Sequence, residues 1–354
     1  MKIAVLSNSF KEYDKKEVED DLNDTGKSIR SALKWSGHDV HLYDVNERTF
    51  DKLRRSDIDF AFNVCERFNG SSLMEPHVAA MLELLQIPYT GSGPLALSLC
   101  MNKPRVKEIL MHNEIPTPKF QVFYSKNKKL DESLKFPLIV KPVCMDNSIG
   151  INEDAVVHNE KDMRSRIAYI NRVYNQAALV EEFIKGREFA IAVMGNKNPV
   201  ALPISEIIFK KDQGMRIYSY DAKWNNDEEF LDIFDEKCPA DVPKYIEAKM
   251  KKIAVDVYKL LEVKDYGRID IRLSEDGTPY VLEMNPNPGI SADNTIPKAA
   301  DSLGLSYNEM VNEILYQALE RYNISSPSRI VELANNEKVK SEYPLANILE
   351  VKNS

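Results

Sequence analysis

Arg268-Ile269-Asp270-Ile271-Arg272, then Glu275-Asp276-Gly277, then Tyr280-Val281-Leu282-Glu283-Met284-Asn285-Pro286-Asn287-Pro288-Gly289 is the stretch that decides the fold. Two runs that alternate apolar and polar residues, joined by an Asp-Gly pair, predict an antiparallel hairpin over residues 266–273 and 278–283. Successive side chains of a strand point to opposite faces. Arg268, Asp270 and Arg272 therefore share one face of the first strand, and Glu283 and Asn285 share one face of the second. If those faces meet across the hairpin, Asp270, Glu283 and Asn285 converge with Arg268 beside them. Three hard oxygen ligands at the end of a sheet suit Mg2+, which takes one or two carboxylates and completes its shell with phosphate and water. A solvated strand face with a cross-strand ion pair would use the same residues. The apolar lead-in Val281-Leu282 and the rigid Asn-Pro-Asn-Pro-Gly exit favour the metal site.

Upstream, strands and helices alternate. Residues 3–6, 40–43 and 58–64 read as strands, the last a nearly continuous apolar run of the kind a parallel sheet covered on both faces requires. Residues 24–35 have helical spacing and are stopped by Gly37; residues 73–85 place apolar side chains at 74, 78, 81, 82 and 85. This order predicts a small, doubly wound parallel α/β domain over residues 1–100. The segment 87–94 reads as a strand end and turn, a helix follows at 103–112, and the two prolines of Ile115-Pro-Thr-Pro118 mark a boundary. Beyond it, strands are expected at 120–123, 137–141, 178–183, 188–194 and 199–208, with helices near 160–174, 245–261 and 306–322. Residues 324–354 are polar, with weak periodicity, and read as a tail.

The length of 354 residues suits two or three domains. With 47 basic against 55 acidic side chains the net charge is −8, which excludes a broad nucleic-acid footprint but leaves room for a local basic cleft. No apolar run reaches membrane-spanning length, and residues 1–7 read as a first strand rather than a signal peptide. The cysteines (65, 100, 144, 238) form no C-x-x-C pair, so a zinc ribbon or dithiol redox centre has no support and a free-thiol cytoplasmic protein is expected. The five histidines form no metal-binding spacing, and no nucleophile turn of the G-x-S-x-G kind occurs. Glycine is scarce, at 13 residues, so any phosphate-cradling loop must be built with few of them.

Lys141 ends the apolar run Pro137-Leu-Ile-Val140 and precedes Pro142, a fixed strand-end position from which a lysine can neutralise a phosphate. Asp146-Asn-Ser-Ile-Gly150 follows, where backbone N–H groups could close over phosphates. Glu181-Glu182-Phe183-Ile184 and then Gly186-Arg-Glu188 place carboxylates at a strand end, suited to an adenine amino group or a ribose hydroxyl.

In this order the motifs resemble the ATP-grasp superfamily, and within it the D-alanine–D-alanine ligase-like family, from about residue 60 to residue 322. The resemblance rests on Ile87-Pro-Tyr-Thr-Gly-Ser-Gly93, Met101-Asn-Lys103 with Lys107, Val140-Lys-Pro142, Glu181–Glu188, Ala222-Lys223, Gly267-Arg-Ile-Asp270 and Glu283-Met-Asn285-x-x-Pro288-Gly289. It implies an N-terminal α/β domain followed by a two-subdomain ATP-grasp fold, divided at 1–100, 101–185 and 186–323. It implies an ATP-dependent, ADP-forming carboxylate–amine ligase with two Mg2+ ions, Mn2+ serving as a substitute. Lys103 and Lys141 look like the phosphate-contacting lysines, with Ser148 in the phosphate lid. Glu181 looks like the adenine-side carboxylate, Glu182, Phe183, Ile184 and Leu282 the lining of the base, and Glu188 the ribose ligand. Lys223 resembles a γ-phosphate contact, Arg268 the oxyanion-stabilising arginine, and Asp270, Glu283 and Asn285 the metal ligands. Segments 144–150 and 212–226 are the candidate lids. By analogy the assembly would be a homodimer, and the substrates small, amino-acid-like carboxylates and amines.

The departures cluster where D-alanine would sit. Ser7-Asn-Ser-Phe-Lys-Glu12 lacks the family's glycine-rich exit and its aligned glutamate, and Asn63-Val-Cys-Glu66-Arg-Phe-Asn-Gly70 replaces a His-Gly and Gly-Glu-Asp-Gly segment. Asp146-Asn147-Ser148 replaces Gly-Ser-Ser, Trp224 stands where a tyrosine is usual, and Asn285-Pro-Asn287 replaces Asn-Thr. Glu66, Asn147, Trp224, Asn287 and Gly289 are thus the candidate substrate residues, and the substrates need not be two D-alanines. A D-alanine–D-alanine ligase with a divergent pocket, a non-catalytic nucleotide-binding module and a kinase on the same fold are the competing readings.

Overall fold

The computed structural model describes residues 1–8, 16–145, 152–209 and 234–324. Three sheets follow one another along the chain. The first joins β1 (Lys2–Ser7), β2 (Asp39–Asp44) and β3 (Phe60–Asn63) in the order β2-β1-β3, both pairs parallel. All four residues of β3 are buried, as its unbroken apolar run requires. Helices α1 (Lys16–Trp35), α2 (Thr49–Arg54) and α3 (Glu75–Leu84) connect and follow these strands; a single 3-10 turn at Ser72–Met74 leads into α3. α1 begins well before the residue 24 that its periodicity indicates.

Helix α4 (Pro94–Met101) starts where the expected turn of residues 87–94 ends, in a stretch to which the sequence assigned no element. Its run has apolar residues on both faces, Leu97 buried and Leu95 exposed, which erases the helical period. It abuts α5 (Lys103–His112) at Asn102, whose side chain caps α5 by accepting the Arg105 N–H at 3.3 Å.

The second sheet, all antiparallel, joins β4 (Phe120–Phe123), β5 (Leu138–Pro142), β6 (Val156–Val157) and β7 (Ala178–Glu182) in the order β4-β7-β5-β6. α6 (Glu160–Val173) packs Met163, Ile167 and Ile170 against Leu138, Val140 and Val180. The third sheet holds β8 (Gly186–Met194), β9 (Val200–Ala201), β10 (Ser205–Phe209), β11 (Phe234–Lys237), β12 (Tyr266–Ser274) and β13 (Pro279–Asn285), in the order β11-β10-β8-β12-β13 with β9 on β8. The single strand expected at 199–208 is two, because Pro203 lies between β9 and β10 and cannot donate to a ladder. α7 (Lys244–Leu260), α8 (Thr295–Asp301) and α9 (Tyr307–Arg321) complete the described chain. α8 escaped the sequence reading because Pro297 looks like a breaker; in a first turn it is tolerated.

The last helix returns to the first. Ile314, Leu315 and Ala318 of α9 share one core with Ile29 and Leu33 of α1 and with Ala192 and Met194 of β8. At this seam Arg321 Nη2 meets Asp265 Oδ2 at 2.9 Å and donates to the Tyr89 carbonyl at 2.6 Å. The Gly91 N–H donates to the same Asp265 oxygen at 2.7 Å, from a backbone at φ +90° that suits glycine. Asp265 is wholly buried, so burial raises its pKa while Arg321 opposes that shift. The pair ties the segment after α3 to the start of β12.

Candidate active site

In the hairpin Asp270 pairs with Glu283 and Arg268 with Asn285, so the two faces meet. One detail was not legible. Strict alternation would send Val281 and Glu283 to the same face, yet Val281 is fully buried in the core while Glu283 is half-buried at the cleft. A bulge at Leu282 resolves the conflict, since the register shifts between the Asp270–Glu283 and Ile271–Val281 pairs. Bulges commonly re-aim a side chain in this way.

The charges here are already matched. Arg268 grips Asp270 with Nε and Nη2 at 2.8 and 2.9 Å, and Asn285 Nδ2 donates to Asp270 Oδ2 at 3.0 Å. Lys103 Nζ lies 3.2 Å from Glu283 and donates to the Met145 carbonyl at 2.8 Å. A lysine in the first turn of a helix opposes the helix dipole, so the position of Lys103 is not one that stability favours. Among the described residues no group of three or more His, Cys, Asp or Glu side chains is disposed to hold a metal. The donor set at the cleft is two carboxylates and one amide.

Beyond the hairpin lies a buried triad. Glu181 receives Lys107 at 2.8 Å and Lys141 at 2.5 Å, and all three side chains are almost completely buried. Lys107 also donates to Thr117 Oγ1 at 2.8 Å, and Thr117 donates to the Val281 carbonyl at 2.8 Å. Burial pulls the Lys107 pKa down to about 8, with Lys141 adding to the fall and Glu181 opposing it. Burial opposes ionisation of Glu181, but the two lysines prevail and its pKa is lowered. Arg272 was not among the candidates. It pairs with Glu188 through Nε and Nη2 at 3.1 and 2.9 Å, donates to the Ile184 carbonyl at 2.9 Å and lies 4.8 Å over the Phe183 ring. The Glu182 and Phe183 N–H groups donate to the Lys119 and Pro137 carbonyls.

Beside Arg268 an open cavity is lined by Glu66, Arg67, Glu75, Asn285, Asn287 and Gly289, among others. Glu66, Asn287 and Gly289 also line an adjoining recess with Thr25 and Ser291. A Cβ on Gly289 would come within 2.9 Å of Asn294 Nδ2 and 3.5 Å of Glu66 Oε1, so a side chain there would make Asn294 shift. Asn287 is held from both ends: Tyr266 OH donates to its Oδ1 at 2.6 Å, and its Nδ2 donates to Glu75 Oε1 at 3.1 Å. Asn8 at the exit of β1 is buried and donates to the Arg67 carbonyl. Ser148, Asn147, Lys223 and Trp224 lie outside the described residues, as do segment 212–226, residues 146–150 of the other candidate lid and residues 325–354.

With this geometry in hand, the relatives decide the family. Residues 109–316 match the family model described as the D-Ala–D-Ala ligase C-terminus. A D-alanine–D-alanine ligase of Bordetella petrii is 34% identical over 308 residues, 86% of this chain and 89% of its own length. The chain belongs to the D-alanine–D-alanine ligase-like family of ATP-grasp enzymes. Members of that family are ligases that form a C–N bond, and this chain is one of them. A crystal structure of the Bacillus anthracis D-alanine–D-alanine ligase complexed with ATP superimposes with a TM-score of 0.72 at 25% identity, covering 91% of this chain and 99% of that one. The VanG D-Ala:D-Ser ligase of Enterococcus faecalis shares the fold, with a TM-score of 0.71 at 20% identity over 90% of this chain and 99% of its own. ATP dependence comes with the family. Among the described residues no helix is long and apolar enough to cross a membrane.

Proposed function

We propose that this ATP-dependent carboxylate–amine ligase makes an amide or peptide bond through an acyl phosphate, and that its substrates are not simply two D-alanines. The observation that carries the reading is the contrast within one cleft. The lysines, carboxylates and arginine expected to handle ATP are held by short ion pairs, whereas the adjoining cavity presents Glu66 and Arg67, from a segment that departs from the family's pattern.

Asp270, Glu283 and the Asn285 amide oxygen fit Mg2+: they are hard oxygen donors on facing strands, and Arg268 and Lys103 supply the balancing charge in this structure. When bound, the metal would offset charge on the transferring phosphoryl group. Lys103, Lys141 and Lys223 would then neutralise the phosphate oxygens. The substrate carboxylate oxygen attacks the γ-phosphorus and ADP leaves. The amine nitrogen attacks the acyl carbon, losing a proton, and inorganic phosphate leaves. Arg268, which lines the cavity, would be the donor for the developing oxyanion. Glu182, Phe183, Ile184 and Leu282 line the base in this reading, and Glu188 takes the ribose. Water must be excluded throughout or the acyl phosphate hydrolyses, which is the work of a lid over Ser148. We divide the chain at 1–100, 101–185 and 186–323, one sheet to each unit, and assign it to the cytoplasm, in keeping with its four free cysteines.

The test is ADP release with ATP and Mg2+ across amino acids of both hands and small carboxylates. The expected result is a higher kcat/KM for a pair other than D-alanine with D-alanine. Robust turnover with D-alanine alone overturns the substrate reading.

A further inference from the structure

β13 is the last strand of its sheet, so along its outer side the backbone must find partners elsewhere. Val281 finds both in the segment that leads into β4. Its N–H donates to the Pro116 carbonyl at 2.8 Å, and its C=O accepts from Thr117 Oγ1 at 2.8 Å. Thr117 is almost wholly buried, and its hydroxyl is engaged a second time, by Lys107 Nζ at 2.8 Å. An ammonium has no lone pair and can only donate, so the single hydroxyl proton of Thr117 is committed to Val281. The direction of the relay is therefore fixed: Lys107 donates to Thr117, and Thr117 donates to Val281. A hydroxyl that accepts from a cation is polarised and donates more strongly.

The two ends of this relay serve different parts of the cleft. At one end Lys107 pairs with Glu181 at 2.8 Å, and Glu181 also receives Lys141. At the other, the Val281 carbonyl belongs to the peptide unit that enters Leu282, where the ladder shifts between the Ile271–Val281 and Asp270–Glu283 pairs. Holding that peptide fixes the entry to the bulge, and the bulge sets the aim of Glu283. We propose that Thr117 is a positioning residue that joins the two halves of the ATP machinery: its hydroxyl steadies the Lys107 ammonium beside Glu181 and, through Val281, the aim of Glu283. This rests on the ligase reading above and on the metal ligands proposed there, and adds a residue that touches neither nucleotide nor metal.

The experiment measures ADP release with the best carboxylate–amine pair of the screen above, varying ATP as its Mg2+ complex and, separately, free Mg2+. Thr117→Val keeps the branched shape and removes the hydroxyl. The KM for ATP and the free Mg2+ giving half-maximal rate should each rise roughly 5-fold or more, while the KM values of the carboxylate and the amine hold. Thr117→Ser, which restores the hydroxyl, should return both to near wild type. Thr117→Cys, a weaker donor and acceptor of similar size, should fall between the two; it serves as the test if the melting midpoint shows Thr117→Val to be unfolded. Lys107→Met should raise the KM for ATP alone, and adding Thr117→Val to it should still raise the Mg2+ requirement. A Thr117→Val or Thr117→Cys enzyme with wild-type requirements overturns the inference. So does a change confined to ATP, a Thr117→Ser enzyme no better than Thr117→Val, or an equal rise in every KM, which a merely structural role would give. All of these leave the ligase reading standing. A wild type indifferent to free Mg2+ overturns the metal ligands and this inference with them, and a wild type that releases no ADP with any carboxylate overturns the ligase reading itself.

Discussion

Lys107, Glu181 and Lys141 on one side of the hairpin, and Glu66, Arg67, Glu75 and Arg268 on the other, are both mixed-charge groups, but they are built differently. In the first, two lysines close on one carboxylate at 2.8 and 2.5 Å, with almost no exposure to water. In the second, the charges line an open cavity. Burying a charge is costly unless it is paired, so a buried triad is a rigid template that suits a constant ligand such as a nucleotide. An open cavity with both signs is a place where substrate identity can change without disturbing the fold. The hairpin stands between them and serves both: Val281 accepts from Thr117, which receives Lys107, while Arg268 faces the cavity.

The sharpest way to break this comparison is at the hairpin itself. Glu283→Gln removes the charge of a proposed metal ligand without emptying the core, since the side chain is about one-third exposed. The expected loss in kcat is at least about 100-fold, larger than changes to groups that only orient ligands, with an unchanged melting midpoint by calorimetry. Full activity would remove the metal assignment.

Lys107→Met is next and touches only the side we assign to the nucleotide. Glu181 keeps Lys141, and the KM for ATP should rise roughly 10-fold, the loss of a charge-assisted hydrogen bond, while the amino-acid KM holds. The pH dependence carries a sign. The folded pKa of Lys107, about 8, lies below the ordinary 10.5, so its charge is lost as pH rises through about 8. ATP affinity in the wild type should therefore decline above that pH, and Lys107→Met should lack the inflection. Between about 8 and 10.5 the unfolded chain still holds the proton that the folded one has released. Stability through this residue rises with pH over that window, opposite in direction to the loss of binding. An ATP KM independent of pH in the wild type would sink the role of Lys107.

How far these parts were legible depends on sequence distance. Asp270, Glu283 and Asn285 could be grouped because alternation puts the polar residues of each strand on one face and an Asp-Gly turn joins the strands, on the condition that those faces meet; the bulge at Leu282 meets it. The bulge at Leu282 escaped because local pattern does not price core packing of Val281 against cleft placement of Glu283. Lys107 was visible only as a family motif, although its i+4 spacing from Lys103 on a helix capped by Asn102 put both on one face. Glu75, Thr117 and the Asp265–Arg321 pair were not legible: their partners lie 212, 164 and 56 residues away, and no periodicity reaches that far. Chemistry held by one hairpin reads off the chain; chemistry held by tertiary contact does not.

The smallest expected effect tests the substrate side through a residue remote from the reacting atoms. Tyr266→Phe removes only the hydroxyl that donates to Asn287 Oδ1 at 2.6 Å. The ring stays, so the core is kept, but Asn287 loses the donor that locks its amide, and a half-satisfied polar network costs about 1–3 kcal/mol. A looser Asn287 lets Glu75 move, because its Nδ2 is the donor to Glu75 Oε1. The amino-acid KM should rise several-fold, the ATP KM should not change, and kcat should fall little. That split separates positioning from general damage. A structural defect spread through the molecule would raise both KM values together, and such a result would mean that the two sides of the hairpin are one cooperative unit rather than a fixed template beside an adaptable cavity.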